Sequence, residues 1–160
     1  MDTKRSETVK TYRIPKYTIS LVRDSAVSSN VKRISSSADV ESVVRAIIGG
    51  TDREQFVVLT LDGKNNVIGA NIVSTGSVSM SIVHPRETFK MAIMQNSLSI
   101  IIAHNHPSGD PAPSPEDIQL TKRLCEGGEL LGIRVLDHVI VGDGTSRYYS
   151  FADEGTLPKP

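Results

Sequence analysis

A chain of 160 residues fits one domain with a core of its own, and 38% hydrophobic against 22% charged residues is the balance of an ordinary globular fold. The single cysteine, Cys125, excludes an internal disulfide. No apolar run follows the polar start at Asp2, Lys4, Arg5 and Glu7, so no signal peptide or membrane span is expected, and the cytoplasm is the expected compartment.

Net charge is zero but unevenly spread. Residues 1–33 carry eight Lys/Arg against three Asp/Glu, a balance of +5, and residues 34–160 carry −5. Such an arm can touch nucleic acid or an acidic partner, or simply be a solvated leader. No run of Lys/Arg exceeds two adjacent residues, which favours the leader.

In chain order, residues 1–11 read as loosely ordered. Tyr17–Arg23 alternates like a strand at a sheet edge, with Pro15 just before it. A Ser-rich connector, Ser25–Ser37, leads to a helix that starts at Ser36 or Ser37 and ends at Ile48, before Gly49-Gly50. Val40, Val43, Val44 and Ile47 share one of its faces. Glu54 opens a strand through Asp62 that is apolar on both faces and so belongs in the middle of a sheet. Gly63–Asn66 turns the chain into a second strand, Val67–Val73, and Val78–Val83 reads as a short third one. Pro85 suits the first position of a helix to about Asn96, with Phe89, Ala92 and Ile93 inward. Leu98–Ala103 is a strand, His104–Pro113 a Pro-rich loop, and Pro115–Leu131 a helix. Strands near Arg134–Val141 and Arg147–Phe151 complete the chain, with Gly142-Asp-Gly144 as a hairpin turn. Strands alternating with helices predict an α/β fold with a mixed sheet flanked by helices. The expected organisation is a basic arm with an edge strand (1–35), a catalytic-type domain (36–155) and a tail (156–160).

His104 and His106 are two residues apart at a strand end, so their rings point to the same side and can reach one ion. On a helical wheel Asp117 falls among Ile118, Leu120, Thr121, Leu124, Cys125, Gly128 and Leu131. An inward carboxylate is costly unless it is paired, hydrogen-bonded or bound to metal. Ser114-Pro-Glu-Asp117 also reads as a capping box, which accounts for Asp117 but not for the histidines. Two histidines and a carboxylate leave a fourth tetrahedral position for water, as in catalytic zinc sites. A hydrolase then needs a carboxylate base; Asp110 and Glu116 lie nearby in sequence, and spacing does not choose between them.

The stretch His104–Asp117 resembles the His-x-His-x7-Ser-x-x-Asp motif of JAMM (MPN-plus) metalloproteases. With Val83-His-Pro-Arg-Glu87 upstream and Arg134-Val-Leu-Asp-His138 downstream, the chain is similar over about residues 38–155 to the RadC family. The resemblance implies one zinc held by His104, His106 and Asp117, with Glu54 as general acid/base and Ser114 assisting at the scissile carbonyl. It also implies a mixed sheet flanked by helices, akin to the deaminase fold, and a protein or peptide substrate. Longer RadC proteins carry a helix-hairpin-helix region ahead of this domain, and about 35 residues precede it here, so a repair role draws little support.

His84 and His138 are candidates for orienting the ligands or lining the cleft; their ordinary reading is as hydrogen-bonded structural histidines. Cys125 reads as core. The expected activity is hydrolysis of peptide or isopeptide bonds. The competing function is a DNA-associated module, binding through the basic arm, in which zinc is structural or vestigial. A nucleobase deaminase is disfavoured, because that site needs a Pro-Cys-x-x-Cys pair.

Overall fold

The computed structural model describes residues 11–48, 50, 52–78 and 82–159. Helix α1 (Ser37–Ile47) starts where the sequence places it. Ser36 accepts the Asp39 N–H, and the Asp39 carboxylate accepts the Ser36 N–H, so two N-terminal donors are satisfied reciprocally. Strands β1 (Glu54–Leu61) and β2 (Val67–Gly76) form an antiparallel hairpin. Its turn is held by the Asp62 carboxylate, which accepts from the Lys64 and Asn66 N–H groups, while Asn65 takes the left-handed φ of 61°. Helix α2 (Pro85–Met94), strand β3 (Ser99–His106), helix α3 (Pro115–Leu131), and strands β4 (Arg134–Gly142) and β5 (Tyr148–Ser150) follow.

The five strands form one mixed sheet in the order β2-β1-β3-β4-β5. Only β3 and β4 run parallel, joined by α3 as crossover; the other pairs are antiparallel. Two cores cover the two faces. On one side Phe56, Val58, Ile100 and Ile102 pack with Phe89, Leu120 and Leu124 from α2 and α3. On the other, Val57, Leu59, Ile101, Ala103 and Val139 pack with Val40, Val43 and Val44 from α1. Side chains alternate along a strand, so this continuous apolar run in β1 is read as two interleaved faces. The parity carries through to the end of β3: His104 and His106 continue the row of Ile100 and Ile102, toward α3.

Several expectations change. Tyr17–Arg23 forms no strand; residues 11–29 are exposed and without regular structure. β2 runs three residues further than expected. The third strand at Val78–Val83 falls partly on 79–81, outside the described residues, and Val78, Ile82 and Val83 are not in a strand. β3 continues through His106, so the two histidines lie in the strand and not in the following loop. Ile93, Ile118 and Leu131 are about half exposed, because the faces that α2 and α3 bury are narrower than the arcs drawn from sequence. Gly49 lies outside the described residues. Among the described residues no helix is long and apolar enough to cross a membrane.

Candidate metal centre

Three side chains converge where β3 ends against the start of α3. His104 and Asp117 are buried and His106 is partly buried, and each offers a ligand atom within 4.8 Å of the others. Asp117 reaches this point because Ser114 and Asp117 cap α3 as a box: Ser114 Oγ accepts the Asp117 N–H at 3.1 Å, and Asp117 Oδ2 accepts the Ser114 N–H at 2.8 Å. The cap and the ligand position are therefore the same feature, not alternatives. Pro115 at the first helical position presets the backbone for that turn.

The hydrogens around the centre can be placed by elimination. The Asp117 carbonyl only accepts, and an oxygen–oxygen contact of 2.6 Å needs a hydrogen, so Thr121 Oγ1–H donates to it. Thr121 Oγ1 then accepts from His138 Nδ1–H, also at 2.6 Å. Complete burial holds the His138 imidazole neutral, well below its ordinary pKa, and His104 beside it pushes the same way. Its Nε2 is thus a bare acceptor for His104 Nδ1–H at 2.8 Å. On the other ring, His106 Nδ1–H donates to the Asp110 carbonyl at 2.7 Å.

With its Nδ1 engaged behind it, each of the two rings turns its Nε2 toward the same point. The two Nε2 atoms lie 3.1 Å apart, with Asp117 Oδ1 3.2 Å from His104 and Oδ2 3.3 Å from His106. Three such groups facing one another can share a proton or hold a metal ion. In acid a proton can serve, and the electrostatics reflect that. The bond to Asp117 raises the His106 pKa above its ordinary value against the opposing effect of burial. Burial alone would raise the Asp117 carboxyl, but the bonds from both imidazoles outweigh it and hold the carboxyl well below its usual range. The same three side chains could hold a metal ion. Atoms about 2.0–2.1 Å from a tetrahedrally bound zinc stand roughly 3.3–3.4 Å from one another, so the observed separations fit.

Glu54 and Ser114 line the same cleft of about 490 Å³, beside His106, Asp117, Ser77 and Val78. Glu54 Oε2 accepts the Val78 N–H at 2.9 Å, which fixes the carboxylate at the mouth of β1. The two carboxylates that spacing had left open lie elsewhere in role: Asp110 turns its carboxylate back to the Ala112 N–H, and the Glu116 side chain stands on the exposed rim of the cleft. His84 caps α2, its Nδ1 accepting the Arg86 N–H at 3.2 Å. His138 sits behind His104, and Phe56 and Phe151 pack on its ring at 5.9 and 5.0 Å.

Two residues that sequence reasoning passed over hold this arrangement together. Asn105 points to the opposite face from its histidine neighbours. Its Oδ1 accepts the Gln55 N–H at 2.7 Å, and its Nδ2 donates to the Arg53 carbonyl at 2.9 Å and to Asp143 Oδ2 at 2.7 Å. One amide thereby clamps both residues that flank Glu54. Asp143 was read only as part of a hairpin turn. The signal available in the sequence was an amide alternating between two imidazoles, which says nothing about which strand it would bind. The loop after β3 is pinned as well: Gly109 (φ 83°) packs so closely on Gly142 that a Cβ at Gly142 would collide with the Gly109 carbonyl.

Comparison with known proteins places this sequence in a family. The sequence profile of the RadC-like JAB domain matches residues 34–156. A UPF0758 protein of Methanosarcina mazei is 52% identical over 124 residues, 78% of this chain and 53% of that protein. A UPF0758 protein of Desulfitobacterium hafniense is 52% identical over 124 residues, 78% of this chain and 54% of its own length. One of Rubrobacter xylanophilus is 49% identical over 141 residues, 87% of this chain and 61% of that protein. The chain spans a little over half the length of these curated relatives.

Proposed function

This chain belongs to the RadC-like JAB domain family, and from that premise we propose that it is a zinc-dependent metallopeptidase acting on peptide or isopeptide bonds. The observation that carries the reading is the convergence of two imidazole Nε2 atoms and the Asp117 carboxylate, beside a cleft that holds a second carboxylate. A two-histidine, one-carboxylate set suits zinc and leaves a coordination position open, which separates it from closed structural sites. Zinc bound there supplies Lewis acidity, lowering the pKa of water to about 7 and polarising a carbonyl oxygen.

The chain's own residues do the rest. Glu54 Oε2 is committed to the Val78 N–H, so Oε1 is the oxygen that takes a proton from water and returns it to the departing amine. Ser114 Oγ accepts the Asp117 N–H and keeps its own hydrogen, which it donates to the carbonyl oxygen as negative charge develops there. His138 and Thr121 keep the proton on His104 Nδ1, and the Asp110 carbonyl keeps it on His106 Nδ1; both ligands stay in the tautomer that binds metal. Asn105 holds the backbone on either side of Glu54.

The test is cleavage of a peptide library and of isopeptide-linked substrates by zinc-loaded parent and Glu54→Gln. The reading expects turnover in the parent, lost by roughly 10²–10⁴-fold in the glutamine variant at unchanged zinc content. Equal turnover in the two proteins removes Glu54 as the base.

A further inference from the structure

The three converging side chains are supported from different parts of the fold. His104 is backed by His138 of β4, and Asp117 is held by its own helix cap. His106 is the partly buried member of the set, and its ring is held by the Asp110 carbonyl, in the loop between β3 and α3. A loop carbonyl orients a ring only as well as the loop itself is fixed.

The turn between β4 and β5 supplies that fixing. The Asp143 N–H donates to the His106 carbonyl at 3.1 Å, beside the Gly109 N–H at 3.0 Å. Arg147 reaches back from the end of the turn, its Nη2 donating to the Gly109 carbonyl at 3.1 Å. That carbonyl belongs to the peptide unit leading into Asp110, so Arg147 grips the backbone one residue before the group that holds the His106 ring. Its charge makes it a stronger donor to a carbonyl than a neutral amide is. The turn is itself clamped from α1, which packs on the other face of the sheet. Arg45 Nη1 donates to the Gly142 carbonyl at 3.2 Å and Nη2 to the Arg147 carbonyl at 3.0 Å, while its Nε is paired with Glu41. One guanidinium thus closes both ends of the turn, and the other carries the turn's position to the loop.

We propose that Arg147, with Arg45 behind it, is a positioning residue for the metal ligand His106, fixing the backbone at Gly109 so that the Asp110 carbonyl meets the ring. The inference rests on the reading of His104, His106 and Asp117 as a metal site, and extends it to two arginines that lie outside the cleft. A guanidinium that merely anchored the β4–β5 hairpin would contribute to stability and leave metal affinity alone. One that acts through His106 changes affinity and the geometry of the bound ion.

Titration of the metal-free full chain with Co²⁺ tests this in the parent, Arg147→Met, Arg147→Lys and Arg45→Met, with amide hydrogen exchange of each metal-free protein as a second readout. Arg147 is exposed, so its variants are expected to fold as the parent does by circular dichroism. Arg147→Met is expected to weaken Co²⁺ binding by roughly 10–100-fold and to alter the tetrahedral absorption band. Arg45→Met should act in the same direction by less, and Arg147→Lys, which keeps a charged donor, should recover part of the loss. In metal-free Arg147→Met the Gly109 and Asp143 amides, both bonded to the His106 carbonyl, are expected to exchange roughly tenfold faster, while the β1–β3 ladder keeps the parent's rates. A parent that binds Co²⁺ with Arg147→Met binding it as tightly, its band unchanged, overturns the proposal and leaves the metal site standing. So does a loss of affinity accompanied by equal acceleration of the ladder amides, which is general loosening. A folded parent that binds no Co²⁺ removes the metal-site reading and this proposal with it.

Discussion

The metal centre and the N-terminal arm meet the same requirement in opposite ways. At the centre the polar groups are held by specific partners: His104 by His138 of β4, Asp117 by its own helix cap, and the flanks of Glu54 by Asn105 of β3. In the arm the hydrogen bonds of residues 24–31 are local ones, Ser25 to Asp24 and Ser29 to Val31, and apolar side chains face water. The difference teaches where function resides. A site that could hold an ion is fixed by redundant contacts within one fold, whereas the alternation of Tyr17–Arg23 forms no strand.

Breaking the centre should have the largest effects. His104→Ala or Asp117→Ala is expected to weaken metal binding beyond about 100-fold, more than loss of an outer contact would, and to abolish turnover; competition titration against a chromophoric chelator reads the first. His138→Ala is expected to weaken it by roughly 10–100-fold, because His104 loses the acceptor that keeps its Nδ1 protonated. Removal of Thr121 Oγ1, as in Thr121→Val, should move affinity the same way by less. If Thr121→Val left affinity unchanged, the relay through His138 would not be what sets the His104 tautomer.

Acid gives a milder break with a definite sign. His106 has a raised pKa in the metal-free protein, so protons compete for its Nε2 from above the ordinary imidazole value downward. Apparent metal affinity should therefore fall as pH drops through the raised His106 value, and a titration followed by bound-metal content checks it. The Asp117 carboxyl has a lowered pKa, so its contribution to metal-free stability is present above its unfolded value and is lost as pH falls below it. Asp117→Asn should flatten that acid limb of the melting curve. The smallest effect belongs to the arm: Ile19→Asp should change the domain's stability by no more than about 0.5 kcal/mol in denaturant melts.

Much of this was legible in sequence, and the reasons differ by residue. His104 and His106 stand out because a strand's period of two is rigid, so spacing alone puts both rings on one side. Asp117 stands out because a carboxylate on an apolar helix face requires an explanation. The five-stranded mixed order follows less directly, since it depends on β1 pairing with β3, more than forty residues away in register at Phe56 and His104. His138 could be named only as a candidate; its role depends on the parallel register that sets it beside Ile102. Asn105 and Asp143 carried no signal because their bonds run between loops and strand ends that no periodicity links. The arm misled for the converse reason: its alternation is that of a strand, and alternation does not report whether a partner exists.

The central proposal is that two imidazoles and one carboxylate, turned toward one point, hold a single metal ion. Titration of the metal-free chain with Co²⁺, followed by its tetrahedral absorption and confirmed by elemental analysis after zinc loading, tests it directly. One equivalent per chain is expected in the parent and in Glu54→Gln, with none retained by Asp117→Ala. A folded parent that binds no metal near neutral pH, or an Asp117→Ala protein that binds it as tightly as the parent, would contradict the account.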